Sequence, residues 1–218
     1  MIYATTIVGK KFCNQFAEHI NLEGSKRTLF VYTDHPELFP KCNTRLYTRK
    51  VFSYFEKLTF MLELVIEHRR RVSFVDADWC KDLKGKVPFD KHVVYSWNVY
   101  NYAELHNMGF YQDGIDLTNS LLKEKGFEHD SKLYPAEAIL SFPYLGTVTE
   151  RILEQLVSLQ PIWEETFNQD LRLNKKLNRY AGYGIGYCEG GALYGVLMKN
   201  YIEVKTKGRD EYHNKSLM

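Results

Sequence analysis

Short apolar runs alternate with amphipathic stretches along the first part of the chain. The runs IYATTIV, TLFVYTD and VSFVDADW are rich in β-branched and aromatic residues, which predicts strands. FCNQFAEHI has the three-and-four spacing of a helix, and VFSYFEKLTFMLELVIEH repeats that spacing over a longer stretch. HVVYSW predicts a further strand. Alternation of this kind predicts a mostly parallel sheet with helices on both faces.

The longer amphipathic stretch predicts a helix that buries one apolar face. The positions that follow the helical rhythm are Phe55, Leu58, Leu62, Val65 and Ile66. A basic run, HRRR, comes directly after this stretch. Cations are favourable at the negative end of a helix dipole, so this run indicates a helix C-terminus better than a nucleic-acid patch.

The second half of the chain predicts more helices and one more strand. Helical spacing extends from about Thr149 to Leu159 and from about Ile162 to Leu177. A glycine-rich strand, GYGIGY, then leads through CEGG into the helical segment ALYGVLMKNY. Without repeats, low-complexity stretches or a flexible linker, the 218 residues predict a single α/β domain, an α/β/α sandwich with a mixed, mostly parallel central sheet.

Composition narrows the class of protein. A hydrophobic content of 44% indicates a globular chain, and a formal net charge of +2 argues against a nucleic-acid-coating surface or a polybasic membrane anchor. The four cysteines are widely scattered, which favours free thiols in a reducing compartment over disulfides or zinc. The chain shows neither a signal peptide nor a membrane-span pattern, so a cytoplasmic protein is expected.

Two carboxylates stand where the third predicted strand ends. Val72–Val75 is apolar or small throughout, and Asp76 and Asp78 follow it. In extended backbone, side chains two residues apart point to the same side, so both carboxylates are expected to reach one locus. Oxygen ligands of this kind suit Mg²⁺ or Mn²⁺, which also bind substrate phosphates. The alternative is a pair of solvated acids at a strand end.

The residues around this pair resemble a known family. YFEKLTFMLELVIEHRRRVSFVDADW is similar to the region of GT-A nucleotide-sugar glycosyltransferases in which a helix bearing Lys-Leu leads to the metal-binding Asp-x-Asp strand. TLFVYTDHP resembles the family's second strand, and IYATTIVG its first, nucleotide-cradling strand. The resemblance covers about residues 1–80. It implies a Rossmann-like GT-A fold with a nucleotide-binding half at about residues 1–85 and an acceptor half at about residues 86–218.

The resemblance also implies a set of site residues. Asp78 would be the main ligand of Mn²⁺ or Mg²⁺, and Asp76 would contact the ribose and the metal. Lys57 would lie near the phosphates or the sugar of the donor, with an exposed helix lysine as the alternative. The residues of the first strand that would cradle the nucleotide are Thr5, Thr6 and Val8.

A third metal ligand is expected near the C-terminus, where the family often places a histidine. His213, in RDEYHNK, occupies that region. A neutral imidazole is an acceptable ligand of Mn²⁺. The family's His-x-x-Gly-x-Lys pattern is not present in this sequence, so a frayed polar tail is the alternative.

Two carboxylates are candidates for the catalytic group. Glu189 lies between the glycine-rich strand and the following helical segment, where inverting members of the family commonly carry the base that deprotonates the acceptor hydroxyl. A helix cap is the alternative interpretation of Glu189. Asp170, in QDLRLN, resembles the Asp-Gln-x-x-Leu-Asn helix of retaining members, although its first two residues come in exchanged order. A solvated helix aspartate explains Asp170 equally well.

These features predict a metal-dependent hexosyltransferase. The donor would be a nucleoside-diphosphate sugar, with a UDP-sugar favoured, and the acceptor a hydroxyl of a glycan or glycoconjugate, with inversion slightly favoured. Two other classes stay open: a metal-dependent nucleotidyltransferase or other phosphate enzyme, and a non-catalytic nucleotide- or carbohydrate-binding module. A P-loop and a dense acidic cluster are both missing from the sequence, which argues against the first of these.

Overall fold

The computed structural model describes residues 1–48, 56–81, 83, 93–100, 123–126, 134–142 and 144–161. The strands are β1 (Ile2–Ile7), β2 (Leu29–Thr33), β3 (Asn43–Leu46), β4 (Val72–Val75), β5 (Val93–Tyr100) and β6 (Tyr134–Phe142). The helices with defined bounds are α1 (Lys10–Gly24), α2 (Glu56–His68) and α3 (Thr147–Ser158). Short 3₁₀ turns cover Pro36–Leu38 and Ala77–Trp79.

The strands form one sheet in the order β3-β2-β1-β4-β6-β5. The first four are parallel to one another, and β6 runs antiparallel to β4. Where these two strands meet, the hydroxyls of Ser73 and Ser141 form a hydrogen bond of 2.7 Å inside the core. The predicted α/β fold with a mixed, mostly parallel sheet is therefore confirmed.

The chain divides into two compact units. The first consists of Met1–Val94 and Ala138–Leu153, and it contains β1 to β4, α1 and α2. The second consists of Tyr95–Glu137 and Glu154–Met218. The division of the chain into a nucleotide-binding half and an acceptor half stays a prediction.

Helices α1 and α2 cover opposite faces of the parallel strands. Consecutive residues of a strand point to opposite faces. On β2, the ring of Tyr32 stacks on Phe60 of α2 with 4.8 Å between centroids, whereas the hydroxyl of the next residue, Thr33, lies 3.4 Å from the thiol of Cys13 in α1. The sheet is thus a central layer between two helices, as doubly wound folds require.

The buried face of α2 differs from the predicted one. Leu62 is only half-buried and Ile66 is 51% exposed, so these two expected core positions are wrong. The buried residues of α2 are Glu56, Lys57, Leu58, Phe60, Met61, Leu64 and Val65. The apolar pattern misplaced the buried face of α2 because two polar residues lie on the covered side. These residues are Lys57 and His68, whose ring contacts Phe30.

One stability prediction follows from the end of α2. Arg69 adopts a φ of 49°, the left-handed conformation that glycine tolerates without strain. We expect Arg69→Gly to raise the free energy of unfolding by about 0.5–1 kcal/mol, because the strain of the Cβ disappears. Urea denaturation measures this change in the free energy of unfolding. Arg70→Gly, one residue further on, is the matched control and should give no gain; equal gains in both variants would contradict the assignment to backbone strain.

Candidate functional site

The order of the strands reverses between β1 and β4. These strands are neighbours in the sheet although β2 and β3 come between them in sequence. In doubly wound sheets, ligands bind beyond the carboxyl ends of the strands at such a reversal. The parallel register pairs Ile2 with Val72 and Ala4 with Phe74, and Asp76 comes directly after the end of β4. Asp76 therefore stands at the edge where ligand binding is expected.

The backbone turns immediately after Asp76. Asp76 still has extended dihedral angles (φ −59°, ψ 147°), but Ala77–Trp79 forms a 3₁₀ turn that contains Asp78. The expectation of extended backbone through both acids is therefore wrong at Asp78. The reason is that the chain folds back, which brings Cys80 and Leu83 into the core as completely buried side chains.

The carboxylate-bearing turn, Asp76–Asp78, still suits a hard divalent cation. Asp76 is partly exposed and Asp78 is exposed, so both carboxylates lie at the surface of the sheet edge. In the part of the chain that the structure describes, no group of three or more His, Cys, Asp or Glu side chains is arranged around one point. Mg²⁺ is commonly held by one or two carboxylates together with substrate phosphates. The pair fits a cation that arrives with a phosphorylated ligand.

The predicted nucleotide-binding residues of β1 differ in their accessibility. Thr5 is completely buried on the α1 face, whereas Thr6, on the α2 face, and Val8 are partly exposed. The hydroxyls of Thr5 and Thr6 have no hydrogen-bond partner in the described structure. A buried, unpaired hydroxyl is destabilising by about 1–3 kcal/mol. Of the three residues, Thr6 and Val8 present surface to a ligand at this edge.

The loop after β1 is held by a residue that the sequence interpretation missed. Asp34 directly follows β2, and its two carboxylate oxygens accept the backbone N–H of Gly9 at 2.9 and 3.1 Å. Gly9 has a φ of 93°, which an L-residue rarely adopts, and α1 begins at the next residue. An aspartate at the carboxyl end of the second strand was the available signal. Asp34 fixes how the chain leaves β1 and enters α1.

Three of the four cysteines lie in the described part of the chain. Cys13, Cys42 and Cys80 are free thiols, as the sequence predicted for them. Burial raises the pKa of the Cys13 thiol, and burial raises the pKa of Cys42 to about 11. Both thiols are therefore protonated near neutral pH and are poor nucleophiles, since the thiolate is the reactive form.

A second missed residue reaches the carboxylate-bearing turn from α1. His19 Nε2 lies 3.1 Å from the carbonyl oxygen of Ala77, the residue between the two aspartates. The two partners are 58 residues apart in sequence, so no local pattern could have revealed the contact. This hydrogen bond connects the middle of α1 to the turn.

Lys57 lies in the first turn of α2, at the same edge of the sheet. Because α2 connects the parallel strands β3 and β4, its N-terminus lies at their carboxyl ends. Lys57 is only 8% exposed. The alternative interpretation, an exposed helix lysine, is therefore wrong. Lys57 is therefore a buried lysine in the first turn of a helix whose N-terminus lies at the same edge of the sheet as the carboxylate-bearing turn.

The remaining predicted site residues lie outside the described residues. These are the candidate catalytic groups Glu189 and Asp170 and the candidate third metal ligand His213. Their roles stay predictions.

The fold and the site define a doubly wound α/β protein with a two-carboxylate turn at the reversal of its strand order. None of the helices in the described residues is both long and apolar enough to cross a bilayer. No protein-family model matches the chain, and no curated protein matches it.

Among solved structures, the chain is similar to the WbbM bifunctional glycosyltransferase in its apo form, with 13% identity and a TM-score of 0.39. The match covers 73% of this chain and 34% of that one, so the chain spans about a third of that protein's length. A similarity of this size carries no information about the site.

The contact between Asp34 and Gly9 gives a testable prediction. Asp34→Ala should lower the free energy of unfolding by about 1–2 kcal/mol, because Gly9 N–H loses a charged acceptor that is partly exposed. Asp34→Asn keeps one acceptor oxygen and should retain most of the stability. Urea denaturation of the three proteins compares them. If Asn is as damaging as Ala, the hydrogen bond to Gly9 is not the source of the effect.

Proposed function

We propose that this protein is a metal-dependent glycosyltransferase. It takes a hexose-type sugar from a nucleoside-diphosphate sugar, a UDP-sugar before others, and transfers it to a hydroxyl of a glycan or glycoconjugate. Inversion of the anomeric configuration is the favoured outcome.

The observation that carries this proposal is the position of the carboxylate-bearing turn. Asp76 and Asp78 follow β4 at the point where the strand order reverses, and Lys57 lies at the same edge at the start of α2. Two carboxylates and a lysine at one edge of the sheet suit a diphosphate that binds together with a divalent cation. The N-termini of α1 and α2 both lie at this edge of the sheet, and helix N-termini favour anions.

Asp76 and Asp78 are the residues that would hold Mn²⁺ or Mg²⁺. When bound, the cation supplies electrostatic stabilisation for the charge that develops on the leaving nucleoside diphosphate. Lys57 contributes a fixed positive charge on the α2 side. Its burial strengthens this contribution, because water screens it less. Thr6 and Val8 line the end of β1, against which the nucleoside is proposed to lie.

The acceptor chemistry rests on residues beyond the described part of the chain. Glu189 is the proposed base, which takes the proton of the acceptor hydroxyl as that oxygen attacks the anomeric carbon. Asp170 is the alternative if the configuration is retained. His213 is the proposed third ligand of the cation. A general base contributes roughly 10²- to 10⁴-fold to such a reaction.

Nucleotide sugars and Mn²⁺ test the proposal directly. In a screen of nucleoside-diphosphate sugars, the donor should raise the melting temperature of the protein in Mn²⁺ and not in EDTA, because ligands stabilise the folded state by mass action. The ligand that binds should then release free nucleoside diphosphate when acceptors are supplied. Binding without any release would favour the non-catalytic module, and cation-independent binding would contradict the metal role.

The variant Asp78→Ala should abolish the Mn²⁺-dependent part of UDP-sugar binding in calorimetry. Its melting temperature in EDTA should stay close to that of the wild type, because interactions of exposed charged side chains contribute little to stability. Glu154→Ala, which removes an exposed acid from α3, is the matched control and should bind as the wild type does. Equal binding by Asp78→Ala and the control would remove Asp78 from the cation site.

Lys57→Met should weaken UDP binding by roughly 1.5–3 kcal/mol, the size of a hydrogen bond to a charged group. Methionine keeps the buried stem of the side chain and removes the charge. UMP, which has no second phosphate, should lose less affinity than UDP. Calorimetry with both nucleotides decides. Equal losses would place Lys57 away from the distal phosphate.

A further inference from the structure

We infer that His19 is a positioning residue that sets the geometry of the carboxylate-bearing turn from the neighbouring helix. The inference rests on the proposed function, in which Asp76 and Asp78 hold a divalent cation. His19 itself contacts neither the cation nor the substrate in this role. It acts through the backbone between the two aspartates.

The hydrogen bond has a defined direction. The backbone oxygen of Ala77 is a carbonyl and can only accept a hydrogen bond. His19 Nε2, which lies 3.1 Å away, is therefore the protonated ring nitrogen and the donor. The ring of His19 is itself fixed by an edge-on contact with Phe16, whose centroid lies 5.5 Å away at an interplanar angle of 77°. Phe16 and His19 are three residues apart on α1 and therefore share one face of that helix.

The turn's own hydrogen bond is the weaker restraint on the same carbonyl. Cys80 N–H donates to Ala77 O at 3.4 Å, which is long for an N–H···O bond. The contact from His19 is shorter by 0.3 Å. The short 3₁₀ turn is therefore held at its first residue mainly by a side chain from another element.

Fixing this carbonyl fixes the relation of the two aspartates. The peptide that joins Ala77 to Asp78 is planar, so a hydrogen bond to its oxygen sets the orientation of the whole unit. That orientation determines where the Cα of Asp78 lies relative to Asp76, and hence how far apart their carboxylates are held. Groups that orient metal ligands from outside typically change metal affinity roughly 10- to 100-fold when they are removed.

Matched variants on α1 separate positioning from general stability. His19→Gln places an amide N–H near the position of Nε2, whereas His19→Asn is too short to reach it. Asn21→Leu is the control, because Asn21 also ties α1 to a backbone carbonyl, that of Leu38 at 2.8 Å, away from the turn. All proteins are titrated with Mn²⁺ in the presence of UDP by electron paramagnetic resonance. Amide hydrogen exchange of Cys80 is measured in EDTA.

We expect His19→Asn to weaken Mn²⁺ binding roughly 10- to 100-fold and to speed exchange at Cys80. His19→Gln should stay near the wild type in both measurements. Asn21→Leu should lose stability in urea and keep its Mn²⁺ affinity. Wild-type affinity and unchanged Cys80 exchange in His19→Asn would overturn the inference, and so would an equal loss of affinity in Asn21→Leu.

The two failures are distinguishable. If the wild-type protein itself does not bind Mn²⁺ with UDP, the proposed function fails and the inference with it. If the wild type binds and His19→Asn binds equally well, only the role of His19 is overturned.

Discussion

The site depends on the hydrogen-bonded register between β1 and β4. These parallel strands are adjacent in space and distant in sequence, and their pairing, Ile2 with Val72 to Ala4 with Phe74, sets the level at which each strand leaves the sheet. β4 is fully buried, so its position is fixed by packing on both faces. A slip of one residue would exchange the faces of all its side chains. The location of Asp76 at the sheet edge is therefore a consequence of core packing.

Beyond the ends of the strands, where the backbone hydrogen bonds of the sheet stop, side chains from other segments hold the chain in place. Two of the loops in which the strands end are held by hydrogen bonds from side chains of other segments. Asp34, after β2, binds Gly9 in the loop after β1, and His19, in α1, binds Ala77 in the turn after β4. Both contacts involve α1, because His19 lies in this helix and Gly9 directly precedes its first residue. Helix α1 thus connects the first strand to the carboxylate-bearing turn, which explains why residues far from the Asp-x-Asp motif influence its geometry.

A strand or helix of this chain could be predicted where its own residues carry the sequence pattern that marks it. Most of the described elements were predicted, because apolar periodicity and β-branched runs mark them. They are β1, β2, β4, β5, α1, α2 and α3. The edge strand Asn43–Leu46 was missed since its side chains are largely exposed and form no apolar pattern. The strand Tyr134–Phe142 was also missed; it opens with a Tyr-Pro pair, and proline is unfavourable inside a sheet.

The site was predictable in part for the same reason. Asp76 and Asp78 stand out because a buried strand precedes them, but the 3₁₀ turn that contains Asp78 is imposed by the later burial of Cys80 and Leu83. The burial of Lys57 depends on where α2 lies on the sheet, which its own apolar pattern misplaced. His19 and Asp34 act through contacts spanning 58 and 25 residues. Such contacts exist only once the fold has brought the partners together.

Asp34, a third carboxylate at this edge, has a structural task that its hydrogen-bond partners reveal. Asp34 stands after β2 as Asp76 stands after β4, and both strands flank β1. Both oxygens of Asp34 accept the N–H of Gly9, and the thiol of Cys13 lies 3.9 Å from one of them. A carboxylate used in this way shapes the loop and does not act as a third metal ligand. Among the described carboxylates at this edge, Asp76 and Asp78 therefore stay the proposed ligands. His213 is the proposed third ligand, and the remaining positions of the cation are open to water and the diphosphate. A site of that kind binds cation and donor together and holds the cation weakly without the donor.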